Sequence, residues 1–356
     1  MTDYDAVVLG AGIHGLCAAF WLKQRGVARV ALLDRFGAAH ESGSSHGALR
    51  ITRSSYHEPA LVRLAQEAHA EAWPALEQAL GTSLRIRTPG VFFGPPEGPF
   101  GAYLRAAKTT EVLQQITIAD ARRHFPLLRF DDRDAVLLDH TAAMVLAGKT
   151  MAGLREWLCA NHTDLHWHCA AERIDVGGDR LTIATSNGPF SCRSAIVATG
   201  LDLARLAPEL TPPLHVLRQQ VGYFDVAAAA EQQTAGTFPV WARIGRTAND
   251  FQYGLPAHEG QGIKLAQHRT EGACEAAGDA PPIDREALLQ LARERLAVPA
   301  SLTSTESCLY TMSPDHGLHV RTSPRSAHLV GIAACSGHGF KFGPVIGRRA
   351  AMLLPL

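Results

Sequence analysis

The run Asp5-Ala6-Val7-Val8-Leu9, followed at once by Gly10-Ala11-Gly12-Ile13-His14-Gly15, constrains this chain more than any other stretch. A short apolar strand that ends in a G-x-G-x-x-G turn and opens into a helical segment, here ending near Gly26, begins a dinucleotide-binding βαβ unit. Gly10 makes the tight turn, Gly12 leaves room for a pyrophosphate at the helix N-terminus, and Gly15 lets helix and strand pack closely. Val30 to Leu33 reads as the next strand. Asp34 at its end, about 20 residues on, suits a ribose hydroxyl and repels the 2′-phosphate of NADP. NAD and FAD both carry an ADP half, so the motif does not separate them.

The 356 residues have room for one large domain or two modest ones and for a sizeable core without disulfides. Lys plus Arg (34) balances Asp plus Glu (34), which leaves no long-range field to draw nucleic acid or an anionic membrane. A charged substrate must therefore be held by local groups. The 7 cysteines are odd in number, scattered, and without a C-x-x-C pair, so neither a disulfide framework nor a zinc site is indicated, and no metal is expected. With no basic-then-apolar leader after Met1 and no apolar run of about 20 residues, the expectation is a cytoplasmic protein.

Further along, Glu41 to Arg53 is a small, polar loop carrying Ser44, His46, Arg50 and Arg53. Two readings stand: a solvated loop with surface arginines, or a segment whose small residues let it run beside a flat ring system, with His46 and Arg50 near the ring's electron-accepting end and Arg53 free to grip an anion. Pro59 to Leu80 has helical spacing and reads as a packing helix. Short strands and Pro/Gly-rich turns from Leu84 to Val136, with a helix over Ile118 to His124, mark a departure into a second domain. A helix over Thr150 to Asn161 and three strand-like pieces lead to Ser194-Ala195-Ile196-Val197-Ala198-Thr199-Gly200, a buried strand that re-enters the first sheet. The dinucleotide domain is therefore discontinuous. Pro213 to Val226, Val240 to Ile244, Asp250 to Leu255 and Gly262 to Ala266 read as an antiparallel sheet carrying Tyr253, Lys264 and His268. A strand lysine ordinarily snorkels into solvent. Glu271 to Pro282 reads as a turn-rich connector and Asp284 to Leu296 as a helix. Cys308-Leu309-Tyr310-Thr311-Met312 then precedes a strand over His328 to Ala334. Beyond it, Ser336-Gly337-His338-Gly339-Phe340-Lys341-Phe342 is a glycine turn with a cation, expected before a helix starting near Pro344.

Together these segments resemble the monomeric sarcosine oxidase family, with its N-methyltryptophan and pipecolate oxidases, within the D-amino acid oxidase superfamily. The likeness spans nearly the whole chain. It is most specific over Ser44 to Arg53, Tyr253 to His268 and Cys308 to Lys341. It implies an α/β fold: a discontinuous FAD-binding, Rossmann-like domain of the two-dinucleotide type (1–85, 140–212, 305–356) and an antiparallel-sheet substrate domain (86–139, 213–304). It implies FAD joined by a thioether from Cys308 to the flavin 8α carbon. Gly10, Gly12, Gly15, Asp34, Ser44, Gly337, Gly339 and Lys341 would contact that cofactor.

By the same resemblance, His46 and Arg50 lie at the flavin face opposite the substrate, and Lys264 is the oxygen-activating lysine. Arg53 and Lys341 bind the substrate carboxylate, while Tyr253, His268 and Tyr310 line the substrate cavity. The implied activity is oxidation of a secondary amino acid, N-methyl or cyclic, by O₂ with release of H₂O₂, carried out by a monomer. A dehydrogenase passing electrons to another acceptor, and a flavin- or NAD-binding module without catalysis, are the competing expectations.

The chain departs from the family in three places. Leu49 stands where sarcosine oxidases carry threonine, and the loop Ser54 to Pro59 is shorter than theirs. Trp241 and Arg243 sit on a strand that faces substrate in relatives.

Overall fold

The strand Asp3–Leu9 lies inside an eight-stranded sheet, parallel to Val30–Leu33 on one side and to Phe190–Val197 on the other. The computed structural model describes residues 3–247, 250–269, 282–333 and 336–356. The expected connector from Glu271 lies outside them up to residue 281. Thr163–His166 extends the parallel set beyond Val30–Leu33, and Ser326–Ala333 pairs in parallel with Phe190–Val197. The sheet is thus assembled from early, middle and late parts of the chain. Val30–Leu33 is wholly buried and Phe190–Val197 is buried at all but one position, as coverage of both faces requires. Ala6 and Val8 pack with the helices on one face, while Val7 and Leu9 pack into a second cluster on the other.

Helix Ile13–Gln24 follows the glycine turn and packs against the C-terminal helix Gly339–Leu353. The two approach closely because two glycines face the first helix. A Cβ at Gly347 would collide with the Cys17 backbone, and one at Gly343 with the Ile13 side chain. The C-terminal helix begins at Gly339, five residues before the expected start, and Pro344 lies inside it. A proline removes one helical N–H yet need not start a helix, so Lys341 falls in the first turn.

The second eight-stranded sheet runs in the order Ala300–Met312, His215–Val226, Ile263–His268, Phe251–Leu255, Val240–Ile244, Gly90–Gly94, Ala135–Asp139, Leu113–Ile116. It is antiparallel except where Val240–Ile244 pairs in parallel with Gly90–Gly94. The long strand Ala300–Met312 spans residue 304, so it belongs to this sheet on both sides of that point. A three-stranded sheet of Leu49–Thr52, Ala143–Leu146 and Arg85–Arg87 lies under the polar loop.

The helical stretch from Pro59 is interrupted. Between Pro59–Glu67 and Trp73–Leu80 one wide turn, Ala68–Ala72, is π-helical and carries His69. Such bulges often occur at functional sites, and His69 indeed meets Thr52 at 2.6 Å.

Candidate active site

One long cavity of about 1170 Å³ runs from Asp34 at the end of the second strand to Arg53, Tyr310 and Lys341. That exceeds the roughly 300–1,000 Å³ of ordinary ligand sites, so there is room for a large cofactor and a substrate together. At one end Gly10 has φ +95°, and a Cβ there would press on the Ala198 carbonyl, so the turn is held against the re-entering strand. Gly15 lies behind the wall, where a Cβ would run into the Gly10 carbonyl. Gly12 faces the Ser45 hydroxyl, which accepts the Ile13 amide at 3.0 Å. Asp34 accepts the Ala11 amide at 2.7 Å and the Phe36 amide at 2.8 Å. A carboxylate has about four lone-pair sites, so capacity for a ribose remains. Thr199, on the cavity wall, has a buried hydroxyl with no partner among the described residues.

Midway, the loop from Ser44 folds around one guanidinium. Arg50 donates to the backbone carbonyls of Ser44 (3.2 Å), His46 (2.5 Å) and Leu49 (2.9 Å). Burial, and then Arg50, lower the pKa of His46, which favours its neutral form. Cys308 faces the same space on strand Ala300–Met312, opposite Gln219. Lys264 is not the snorkelling surface residue that a strand lysine suggests. It is only 5% exposed, its Nζ lies 5.3 Å from the Tyr223 ring centroid and 3.9 Å from Glu306 Oε2. Burial and Arg50 bring its pKa down to about 8 against the opposing pull of Glu306 and Cys308.

At the far end, Arg53 is 8% exposed and its guanidinium is ringed by Tyr56 (4.2 Å), Phe92 (5.2 Å), Tyr103 (5.9 Å) and Phe251 (6.0 Å). Arg53 Nη1 and the neighbouring Tyr56 hydroxyl are both buried without a hydrogen-bond partner among the described residues. Two donors side by side in a dry site call for an acceptor. Lys341, also 8% exposed, opens into the same cavity. After burial itself, Lys341 and then His316 and Arg53 depress the His268 pKa to about 3, so that ring is neutral between two cations. Tyr253 and Tyr310 face each other, hydroxyl to hydroxyl, at 3.4 Å. Gly337 has φ +74°, and a Cβ there would strike the rings of His268 and Tyr310, so only glycine lets the turn pass. The Gly339 carbonyl accepts from His14 Nε2 at 3.2 Å. Gly339, Phe340 and Lys341, the first turn of the last helix, line the cavity, which brings the positive dipole end of that helix to it.

Every candidate residue except Gly15 thus lines this one cavity. Trp241 and Arg243 do not. On strand Val240–Ile244 it is Ala242 that faces the cavity, whereas Trp241 packs into a core and Arg243 is paired with Asp131, Asp134 and Asp250. The period of two along a strand makes 241 and 243 point together, away from 242.

Several positions that line or brace the cavity carried no local signal. Glu306, Tyr56 and the aromatic ring set around Arg53 are among them. So is Asp139, fully buried, which accepts from the Ser54 amide (2.7 Å), the Ser55 amide (2.9 Å) and hydroxyl (3.0 Å), and the Thr141 amide (2.9 Å) and hydroxyl (2.6 Å). This one carboxylate holds the chain immediately after Arg53. Asp139→Ala strands the buried Ser54 and Ser55 donors, and since each buried unsatisfied group costs about 1–3 kcal/mol with incomplete additivity, a loss of roughly 3 kcal/mol or more in urea unfolding is expected. A midpoint within experimental error of wild type would contradict that reading.

The FAD-dependent oxidoreductase family model (DAO) matches residues 5–353. The chain is 29% identical to the peroxisomal sarcosine oxidase of Mus musculus, over 98% of this chain and 91% of that one. It is 27% identical to the monomeric sarcosine oxidase of Arthrobacter sp. (strain TE1826), over 99% and 92%. Among solved structures it is similar to NikD, an unusual amino acid oxidase essential for nikkomycin biosynthesis, with a TM-score of 0.84 at 23% identity, over 99% of this chain and 94% of that one.

Proposed function

The chain belongs to the FAD-dependent oxidoreductase (DAO) family, and from that premise we propose that it is an oxidase of secondary amino acids, N-methyl or cyclic, with O₂ as electron acceptor. The observation that carries recognition of an acid is the pair of buried donors, Arg53 Nη1 and Tyr56 hydroxyl, which have no hydrogen-bond partner among the described residues and share a cavity with Lys341. A carboxylate supplies the acceptor that both lack, and the planar Arg fork and the point charge of Lys meet it in different geometries.

The residues along the cavity suit FAD. Gly10, Gly12, Asp34 and Thr199 would hold its ADP half, and His46, Arg50, Lys264 and Cys308 its ring system. When bound, the cofactor supplies the redox chemistry, taking hydride equivalents from a carbon beside the amine and passing the electron pair to O₂ as H₂O₂. The protein orients and tunes. Arg53, Tyr56 and Lys341 fix the substrate by its carboxylate, neutral His268 with Tyr253 and Tyr310 walls the amine, and the Lys264 ammonium offers positive charge where negative charge builds on O₂. The amine leaves as an imine, and water then hydrolyses it. From sarcosine this gives glycine and formaldehyde.

Cys308 is the residue proposed to hold FAD by an 8α-thioether, since it lines the cavity and a thiolate is the attacking form; the new C–S bond would replace an 8α C–H bond, with the proton lost and the electron pair passing through the flavin to O₂. Acid-precipitated wild-type protein is expected to stay yellow, while Cys308→Ala gives a colourless pellet and a yellow supernatant. Flavin washed free of the wild-type pellet would remove the assignment. The substrate class is tested by peroxide release from a panel running from sarcosine to pipecolic and N-methyl aromatic acids, each beside its decarboxylated amine. Turnover confined to the acids is expected, and equal turnover of acid and amine would overturn it.

A further inference from the structure

Glu306, Cys308 and Tyr310 are alternate residues of strand Ala300–Met312, and all three line the cavity. Alternation puts them on one face. The Glu306 carboxylate meets two groups there: its Oε2 accepts from the Tyr223 hydroxyl at 2.9 Å and stands 3.9 Å from Lys264 Nζ. Tyr223 and Lys264 are register partners on adjacent strands, and the ammonium lies over the Tyr223 ring. Glu306, Tyr223 and Lys264 therefore form one cluster whose members come from three neighbouring strands of the second sheet.

Burial and Arg50 work against the charge of Lys264, while Cys308 acts with Glu306 in its favour. The loop beside it brings Arg50 and His46, strand Phe251–Leu255 brings Tyr253, strand His215–Val226 brings Tyr223, and strand Ala300–Met312 brings Cys308 and Glu306. Arg50 is a like charge, and a side chain only 5% exposed has little water to solvate an ammonium. Among the described residues, Glu306 is the carboxylate ion-paired with Lys264. We propose that Glu306 is a positioning residue that keeps Lys264 charged and in place at the oxygen-reacting side of the cavity, with the Tyr223 hydroxyl fixing the carboxylate between them. This rests on the role proposed above for Lys264.

The consequence is a pH dependence with a definite sign. Lys264 is charged below its pKa, so reoxidation by O₂ is fast at low pH and slows as pH rises through that value. Removing the carboxylate lowers the pKa and moves the fall to lower pH. An opposite charge within about 4–6 Å is worth 1–3 pH units when partly buried, so Glu306→Gln is expected to move the midpoint down by about one unit or more.

The sequence contains few lysines, namely Lys23, Lys108, Lys149, Lys264 and Lys341, so ¹³Cε-lysine labelling of the holoenzyme resolves the titration of Lys264 directly, with Lys264→Met to assign its signal. The expected results are a downward shift of the Lys264 midpoint in Glu306→Gln, its partial return in Glu306→Asp, and a parallel shift of the reoxidation profile in stopped flow. An unchanged Lys264 midpoint in Glu306→Gln that still binds flavin would overturn the proposal. Should Lys264→Met reoxidise like wild type, it is the oxygen role of Lys264 that fails, and the NMR midpoint still decides whether Glu306 governs its charge.

Discussion

Lys264→Met is expected to be reduced by substrate at a rate within about tenfold of wild type and to be reoxidised by O₂ roughly a hundredfold more slowly, about 2.7 kcal/mol of lost stabilisation. Transfer of the first electron to O₂ creates a small anion in a cavity with little water. An ammonium a few ångström away stabilises that charge far more than bulk solvent does, because field strength rises as the local dielectric falls. Lys264 is buried beside Arg50 and Glu306 rather than in solvent, so on the proposed role its removal takes a cation from the oxidative step. Methionine keeps the length and apolar stem of the side chain, so packing against Tyr223 is largely retained. Stopped flow on each half-reaction separates the two effects. Equal slowing of both would point to a general structural loss, and unchanged reoxidation would return the chain to the dehydrogenase reading.

Arg53→Ala is expected to lower kcat/KM for a secondary amino acid by about 30-fold or more, since truncating one partner of a desolvated charge pair costs on the order of 2–5 kcal/mol. The aromatic rings around the guanidinium, Tyr56, Phe92, Tyr103 and Phe251, exclude water and make the lost contact more costly. Arg53→Lys should recover little. A compact ammonium neither stacks on Tyr56 as a planar guanidinium does nor offers a fork to two oxygens. Reoxidation by O₂ is expected to be unaffected, because the cation proposed for that step, Lys264, belongs to a different cluster. A variant as active as wild type would mean the carboxylate is held by other groups.

The fold was legible where the chain obeys a local period. The apolar strand, the glycine turn and Asp34 define the first βαβ unit from a few dozen residues, and the alternating strands of the second sheet lie within a few residues of where their patterns put them. The candidate site residues were named through the family resemblance, which is most specific over three segments, and all of them except Gly15 line one cavity. The polar partners were not. Glu306 meets Lys264 only because Ala300–Met312 and Ile263–His268 both flank His215–Val226. Asp139 reaches Ser54 and Ser55 across more than eighty residues of chain. Neither pairing leaves a trace in nearby sequence. Ala242 was missed for a smaller reason, a shift of one residue in which side of a strand faces inward, which reverses every side chain on it. The start of the C-terminal helix was displaced by giving Pro344 the role of a first-turn residue, when the turn at Gly337 and the packing of Gly343 and Gly347 had set the helix earlier.

The central claim is that this cavity lets a bound flavin draw electrons from a secondary amino acid and deliver them to oxygen. Mixing the purified holoenzyme anaerobically with sarcosine, then with pipecolic and N-methyl aromatic acids, while following flavin absorbance, tests it most directly. The account predicts bleaching by at least one of these acids, no comparable bleaching by its decarboxylated amine, and full return of colour on admitting O₂ with about one H₂O₂ for each flavin reoxidised, as the two-electron chemistry requires. A flavin that no secondary amino acid bleaches, or that stays bleached in O₂, would contradict it.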